Sequence, residues 1–240
     1  MDGTPEILLV MPVYNEQASV RKVVTEWFQE VSDWTENFVF LAIDDGSKDG
    51  SLKILNRLRE QLGPRFEVVS HTNRGHGQTC LAGYRMAIER GIPWIFQLDS
   101  DGQCDPQFFF RLWRMREKHD VIYGVRTRRD DGFRRILASF VLRYFLFAVT
   151  GAMCRDANVP YRLMRTDVVA KHIHRIGPDF FLANVALSVL LRKDHSVRTG
   201  YVQIHFRERY GGEPTVKLSN FGGKAFELRR QLKAIQPAAS

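Results

Sequence analysis

The segment ILLVMPVYNE, residues 7–16, begins with seven consecutive apolar residues and then becomes abruptly polar. A strand buried on both faces of a parallel sheet has this continuous apolar character. The segments FVFLAIDDGS, residues 38–47, and WIFQLDSDGQ, residues 94–103, repeat the arrangement. Each repeat predicts a buried strand that ends in a polar loop.

Apolar runs of strand length alternate with stretches of helical period through the first half of the chain. The strands are expected at 7–13, 38–43, 66–70, 94–98 and 121–125, with helices at 18–31, 50–62 and 77–90 and after Pro106. This alternation predicts an α/β fold with a mostly parallel sheet flanked by helices. The alternation weakens after residue 125, but no linker or repeat marks a boundary, so we expect a single domain.

The chain of 240 residues is long enough to bury one sizeable core. Its 44% hydrophobic and 26% charged residues exclude disordered and fibrous classes. The three cysteines are too dispersed for a disulfide framework or a zinc cluster and follow no secretory leader, which predicts a reducing, cytoplasmic location. The most apolar long stretch, residues 136–153, contains Arg143, so no bilayer-spanning helix is expected.

The charge balance predicts an anionic partner. Lys and Arg number 35 against 27 Asp and Glu, which leaves a formal net charge of +8. Nucleic acid, an anionic membrane surface and a phosphorylated small molecule all satisfy this balance, and charge alone does not choose among them.

The polar loops at the strand ends are the expected site, because open α/β sheets bind ligands beyond the carboxyl ends of their strands. Asp99 and Asp101 follow the fourth strand one residue apart, so in extended geometry both carboxylates would project to the same side. Such a pair could share Mg²⁺ or Mn²⁺, with Gln103 as a further oxygen donor. The same residue types also make turns and helix caps, which is the alternative interpretation of each loop taken singly.

Six motifs occur along the chain in order: MPVYNE, DDGSKDGS, NRGHGQT, DSDGQCDP, VIYGVR and RERYGGEP. The set resembles the family two glycosyltransferases of GT-A fold, in particular the branch of dolichol-phosphate mannose synthase and related polyprenyl-phosphate hexose synthases. The resemblance covers residues 7 to about 217. It implies a Rossmann-like mixed sheet, a catalytic domain over residues 1–217 and a C-terminal helical tail over residues 218–240.

The resemblance also implies roles for individual residues. The implied nucleotide site comprises Pro12, Tyr14, Glu16, Asp45, Asp99, Ser100 and Arg209. Within it, Asp45 would accept a hydrogen bond from the base, and Arg209 would reach the donor diphosphate. Asp99, Asp101 and Gln103 would hold Mg²⁺ or Mn²⁺, and Arg126, Arg135 and Ser139 would hold an acceptor phosphate. The implied catalytic residues are Asp101, Arg209 and Arg126.

The activity implied by the resemblance is inverting, metal-dependent transfer of a hexose from a nucleotide diphosphate sugar, such as GDP-mannose or UDP-glucose, to a polyprenyl or dolichyl phosphate. A phosphate acceptor is largely anionic at neutral pH, so no strong general base is required. The aromatic and cationic stretch Phe133–Met153 would lie against the membrane, which implies a peripheral position at the cytoplasmic face.

Two alternatives stay open. The acceptor could be a sugar or protein hydroxyl, for which Asp156 or Asp179 would have to act as the base. The charge alone would also fit a nucleic-acid-binding protein, but that hypothesis leaves the acidic strand ends without a role, so we expect no nucleic-acid partner.

Overall fold

The computed structural model describes residues 4–126, 133–154, 157–180, 182–210 and 221–235, and only the backbone at residues 126, 133–141 and 221–225. Its strands are β1 (Ile7–Val13), β2 (Phe38–Asp44), β3 (Phe66–Ser70), β4 (Trp94–Gln97), β5 (Val121–Arg126), β6 (Arg162–Arg165) and β7 (Thr199–Ile204). They form one sheet in the order β3-β2-β1-β4-β6-β5-β7. β6 runs antiparallel to both neighbours and the remaining pairs are parallel, which confirms the mostly parallel, mixed α/β sheet.

Helices cover the sheet. They are α1 (Val20–Trp34), α2 (Ser51–Leu62), α3 (His76–Glu89), α4 (Phe109–Met115), α5 (Phe133–Thr150), α6 (Thr166–Ile173), α7 (Ala183–Lys193) and α8 (Phe221–Ala234). Short 3₁₀ turns at Gly63–Arg65 and Pro106–Phe108 precede β3 and α4. Within the described residues, no helix combines the length and apolar character needed to cross a membrane.

The core is continuous across both faces of the sheet, and β1 is buried along its whole length. Helix α3 packs so closely on β1 that a Cβ at Gly83 would lie 2.4 Å from Val10 Cγ1. The indole of Trp27 on α1 contacts the rings of Phe96 and Tyr161 at centroid separations of 5.2 and 5.6 Å. This aromatic cluster lies directly beneath the loop that follows β4.

The first-half elements agree with the sequence prediction to within a few residues, whereas β6 and β7 were not predicted. β6 is only four residues long and begins with Arg162, which is completely buried. The Arg162 guanidinium donates to the backbone oxygen of Val159 and to the hydroxyl of Ser188. Because arginine stands at two of its four positions, β6 has no apolar run from which a strand could be predicted.

Helix α8 lies within the predicted tail and packs against the rest of the fold. It contacts α5, and Leu228 and Leu232 are buried in the common core. Gln231 Nε2 donates to the Asp179 backbone oxygen at 3.0 Å. The predicted boundary at residue 217 lies outside the described residues, so the division into domain and tail stays a prediction.

Candidate active site

The carboxyl ends of β2, β1 and β4 lie side by side at one edge of the sheet, where their polar loops meet. Reciprocal hydrogen bonds join the first two loops: Asn15 N donates to Ser47 Oγ at 3.0 Å, and Lys48 N donates to Asn15 Oδ1 at 2.8 Å. Asn15 has a φ of 56°, a left-handed conformation that Asn adopts more readily than most residues. The two loops therefore form one cross-linked unit beside the end of β4.

Buried Glu16 connects the loop after β1 to the turn after β4. The hydroxyl of Ser19 lies 2.8 Å from Glu16 Oε2 and 3.0 Å from the Ser100 backbone oxygen. The other carboxylate oxygen of Glu16 accepts a hydrogen bond from the Arg209 guanidinium. The structure thus brings together Glu16, Ser100 and Arg209, which are far apart in the sequence and were predicted to share the nucleotide site.

Asp99 and Asp101 lie in a turn, and the extended geometry expected for them is wrong. β4 ends at Gln97, Gly102 has a φ of 84°, and Asp101 Oδ1 accepts from Gln103 N at 3.0 Å. An Asp that accepts from the backbone two residues on forms an Asx turn. The turn still holds the two carboxylates close together, so the negative charge of Asp99 contributes to the raised pKa of Asp101.

The environment of the site disfavours the ionised form of two of its carboxyl groups. Burial raises the pKa of Asp101 to about 6, and the neighbouring charge of Asp99 adds to the effect. Burial also raises the pKa of Glu16, although the hydrogen bonds from Ser19 and Arg209 oppose it. Carboxylates that repel one another in a partly dehydrated site would be stabilised by a bound cation.

The donor atoms fit a hard divalent cation. Among the described residues, no three His, Cys, Asp or Glu side chains are arranged to hold one metal ion. Asp99 and Asp101 would supply one or two carboxylates, and water and phosphate oxygens would complete the coordination, as Mg²⁺ and Mn²⁺ allow. The part of Gln103 as a ligand stays a prediction.

His76 contacts Asp99 and was not predicted as a site residue. It is the first residue of α3, and its Nε2 lies 2.9 Å from Asp99 Oδ1. The imidazole is about half exposed, at 49%. The motif NRGHGQT was recognised in the sequence, but only the packing of α3 beside β4 shows which carboxylate this histidine meets.

Asp45 shapes the loop that precedes α3. Its two carboxylate oxygens accept from Arg74 N at 2.7 Å and Gly75 N at 3.0 Å, and the side chain is buried. A carboxylate has further lone pairs, so these two contacts do not use up its capacity to accept hydrogen bonds, and the hydrogen bond to a base stays a prediction. Pro12 is buried within β1 opposite Ile43, and Tyr14 is half-buried at the strand end.

The predicted acceptor-phosphate residues lie on elements that reach the same region. Arg126 ends β5, which runs in the same direction as β4 with β6 between them. The pairing register sets Gln97 of β4 level with Tyr123 of β5, two strand spacings or roughly 10 Å apart, and Arg126 lies three residues beyond Tyr123 toward the carboxyl end. Arg135 and Ser139 lie one turn apart on α5, but the side chains of all three residues lie outside what the structure describes.

The structure gives less information about Asp156 and Asp179, the candidate bases if the acceptor is a hydroxyl. Asp156 lies outside the described residues, and Asp179 is exposed in the loop that precedes α7. The backbone of this loop is held by Gln78, whose side chain donates to Gly177 O at 3.0 Å. No described contact joins the Asp179 carboxylate to the cluster around Asp101.

Residues 8–184 match the model of glycosyl transferase family 2, so the chain belongs to this family. It is similar to the undecaprenyl-phosphate 4-deoxy-4-formamido-L-arabinose transferase of Yersinia enterocolitica, with 26% identity over 227 residues, covering 93% of this chain. The enzyme of the same name from Edwardsiella ictaluri is 27% identical over 225 residues, covering 92% of this chain. The chain spans 66% of the length of each of these relatives.

Solved structures share the fold. Glucosyl-3-phosphoglycerate synthase from Mycobacterium tuberculosis, in complex with Mn²⁺, uridine diphosphate and phosphoglyceric acid, superposes with a TM-score of 0.68 at 16% identity, covering 98% of this chain and 80% of that one. TarS of S. aureus gives a TM-score of 0.55 at 15% identity, covering 84% of this chain and 59% of that one. These likenesses confirm the expected GT-A fold.

Proposed function

We propose that this protein is an inverting, metal-dependent glycosyltransferase that moves a hexose from a nucleotide diphosphate sugar to a polyprenyl phosphate. The observation that carries the proposal is the convergence of Asp99, Asp101, Glu16 and Arg209 at the carboxyl ends of β1 and β4. Family membership and the names of the relatives, which are undecaprenyl-phosphate sugar transferases, support transfer of a sugar to a polyprenyl phosphate. The sugar in those names is a derivative of the pentose arabinose, so the hexose is part of the proposal and is not taken from the relatives.

The donor site has the charges that a departing diphosphate needs. Arg209 is partly buried and already placed by its contact with Glu16, so its guanidinium could donate to phosphate oxygens as negative charge develops on them. A bound Mg²⁺ or Mn²⁺ would supply further electrostatic stabilisation of the leaving diphosphate. A solved structure of the same fold in complex with Mn²⁺ and uridine diphosphate supports a divalent cation and a nucleoside diphosphate as ligands.

The acceptor side is proposed to bind a phosphate. Arg126 ends a strand that points to the same sheet edge as β4, and Arg135 follows on the next helix. Two guanidinium groups could orient the phosphate and offset its charge near the donor. Because the acceptor oxygen is already largely deprotonated at neutral pH, the site needs no strong base beside it.

A surface formed by α5 and α8 is proposed to contact the membrane that carries the acceptor. The two helices pack together and hold three large hydrophobic side chains in exposed positions: Tyr144 and Phe147 on α5 and Phe226 on α8. Arg229, Arg230 and Lys233 are exposed on α8. Aromatic and cationic side chains together favour the interface of an anionic bilayer.

A donor panel tests the proposed function. Purified protein is incubated with radiolabelled GDP-mannose, UDP-glucose and other nucleotide sugars, together with lipid extract and Mg²⁺ or Mn²⁺. We expect label from one donor to enter the organic phase, and we expect chelator or Asp101→Asn to abolish the transfer. Full turnover in excess chelator, or no labelled lipid from any donor, would contradict the proposal.

A further inference from the structure

The segment 205–210, which follows β7 and includes Arg209, lies along the turn 101–105 that includes Asp101. Three backbone contacts join them: Arg207 N donates to Gln103 O at 2.9 Å, Tyr210 N donates to Asp101 O at 3.0 Å, and Cys104 and Phe206 form an antiparallel bridge. Arg209, proposed to bind the diphosphate, and Asp101, proposed to bind the metal, therefore lie on two backbone segments that are hydrogen-bonded to each other.

Arg207 lies at the centre of a polar cluster that links these two backbone segments. Its Nη2 donates to Asp105 Oδ1 at 2.6 Å, and its Nη1 donates to Glu26 Oε2 and to the Tyr210 hydroxyl, both at 2.8 Å. Burial opposes the charge of Arg207, but the hydrogen bonds to Asp105 and Tyr210 outweigh it and raise the pKa of Arg207 above its ordinary value. One guanidinium thus joins the segment, the turn and helix α1.

Tyr210 provides a second anchor on the far side of Arg209. Its hydroxyl donates to Glu26 Oε2 at 3.0 Å, and Lys22 Nζ lies 3.9 Å above the centre of its ring. The ring also covers Gly102 so closely that a Cβ there would lie 2.3 Å from Tyr210 Cδ2. Arg209 is consequently bracketed by fixed residues at positions 207 and 210.

The turn itself is held from below by the core. Trp27 Nε1 donates to Cys104 O at 3.2 Å, and the Tyr161 hydroxyl donates to Asp105 O at 3.0 Å. The turn is therefore fixed independently of Arg207, whereas the side-chain links from the segment to Asp105 and Glu26 run through Arg207 and Tyr210. Removing the Arg207 side chain leaves the three backbone contacts and the Tyr210 anchor in place, so it should loosen the segment around Arg209 without releasing it, and it should disturb the turn less.

We propose that Arg207 is a positioning residue that sets the guanidinium of Arg209 against the donor diphosphate. The proposal rests on the proposed function, because Arg209 acts there on the leaving diphosphate. Arg207 itself is not assigned a contact with substrate. Its planar fork can donate to Asp105 and Glu26 at the same time, which the single ammonium of a lysine cannot do with the same geometry.

The test compares nucleoside diphosphate with monophosphate binding, since only the diphosphate offers the second phosphate that Arg209 would reach. Calorimetry with Mn²⁺ is carried out on the wild type with UDP and UMP and with GDP and GMP, and the tighter-binding pair is used thereafter. For Arg207→Met we expect about a tenfold loss of diphosphate affinity and little change in monophosphate affinity. The diphosphate affinity of Arg207→Lys should fall between those of the wild type and Arg207→Met.

A double variant shows whether Arg207 acts through Arg209. If it does, Arg207→Met adds little to the loss of diphosphate affinity in an Arg209→Ala background, because the positioned group is already gone. Arg198→Met is the matched control. It removes a guanidinium that donates to Asp120, which precedes β5 and therefore lies at the amino end of that strand, away from the candidate active site. This control should leave the preference for diphosphate unchanged. Circular dichroism confirms that each variant is folded.

The outcomes separate this inference from the proposed function. A folded Arg207→Met that keeps the wild-type preference for diphosphate, or that loses diphosphate and monophosphate affinity equally, overturns the positioning role. Additive losses in the double variant also overturn it, because Arg207 would then act independently of Arg209. A wild type that binds neither diphosphate would instead contradict the proposed function on which the inference rests.

Discussion

Replacing Asp101 by Asn is expected to stabilise the metal-free protein while it removes the response to metal. Burial and the charge of Asp99 raise the pKa of Asp101 from 3.8 to about 6. Each pKa unit corresponds to about 1.4 kcal/mol, so ionised Asp101 destabilises the folded protein by about 3 kcal/mol at pH 7.5. Asn carries no charge, and its oxygen can still accept the hydrogen bond from the Gln103 backbone.

The pH dependence of stability follows from the same shift. A raised carboxyl pKa means that the folded protein holds the proton more tightly than the unfolded chain does. The contribution of Asp101 to stability therefore falls as pH rises through the range from about 4 to 6. Acidification from pH 7.5 to 5 should recover about 1.4 kcal/mol in the wild type, and the Asn variant should lack this part of the gain.

Thermal unfolding in EDTA measures the effect. For a chain of this size, 1 kcal/mol moves Tm by about 2 to 4 °C, so Asp101→Asn should melt roughly 6 to 12 °C above the wild type at pH 7.5. Added Mn²⁺ should raise the Tm of the wild type and leave the variant unchanged. Asp120→Asn is the control of opposite sign, because the hydrogen bond from Arg198 lowers the pKa of Asp120 to about 2 and its loss should lower Tm. An Asp101→Asn variant that melts at or below the wild type in EDTA would refute the reasoning.

Three further predictions concern the base, the acceptor and the membrane. Asp45→Asn should weaken nucleotide binding, since the variant loses the anionic acceptor for a base and holds the loop before α3 less firmly; unchanged affinity by calorimetry would count against it. Arg126→Ala and Arg135→Ala should each raise the apparent KM for polyprenyl phosphate by about tenfold or more and leave donor affinity nearly intact, because charge-assisted hydrogen bonds to the acceptor alone are lost; kinetics showing indifference to both changes would oppose a phosphate acceptor. Phe226→Ser should reduce sedimentation with vesicles that contain anionic lipid, whereas the exposed Trp34→Ser, on α1, should not; equal binding by both variants would argue against the α5–α8 surface.

The part of the fold that sequence predicts is the part encoded locally. β1 and the first six residues of β2 are continuous apolar runs that lead into polar loops, so their positions follow from the local sequence alone. β7 is different, because it is an edge strand of six residues that alternates buried and more exposed positions and lacks a continuous apolar run. β6 depends on the burial of Arg162 among oxygens from α7 and a neighbouring loop, which only tertiary packing supplies.

The residues of the candidate site likewise divide into those that the sequence predicts and those whose contacts only the structure shows. Asp99, Asp101 and Glu16 are readable because carboxylates at strand ends gather at one edge of a parallel sheet. The pairing of Arg207 with Glu26 joins residues 181 positions apart, and no local pattern encodes it. The turn that replaces the expected extended geometry at Asp101 was signalled by Gly102, whose φ of 84° favours glycine.

The central claim is that the acceptor is a lipid phosphate, and a paired acceptor assay tests it most directly. The donor identified by the panel, carrying a radiolabelled sugar, is incubated with purified protein, Mn²⁺ and either undecaprenyl phosphate or undecaprenol in matched detergent micelles. The account predicts that label enters the organic phase with the phosphate and stays at background with the alcohol. Transfer to the alcohol or to a water-soluble sugar, with none to the phosphate, would contradict the account.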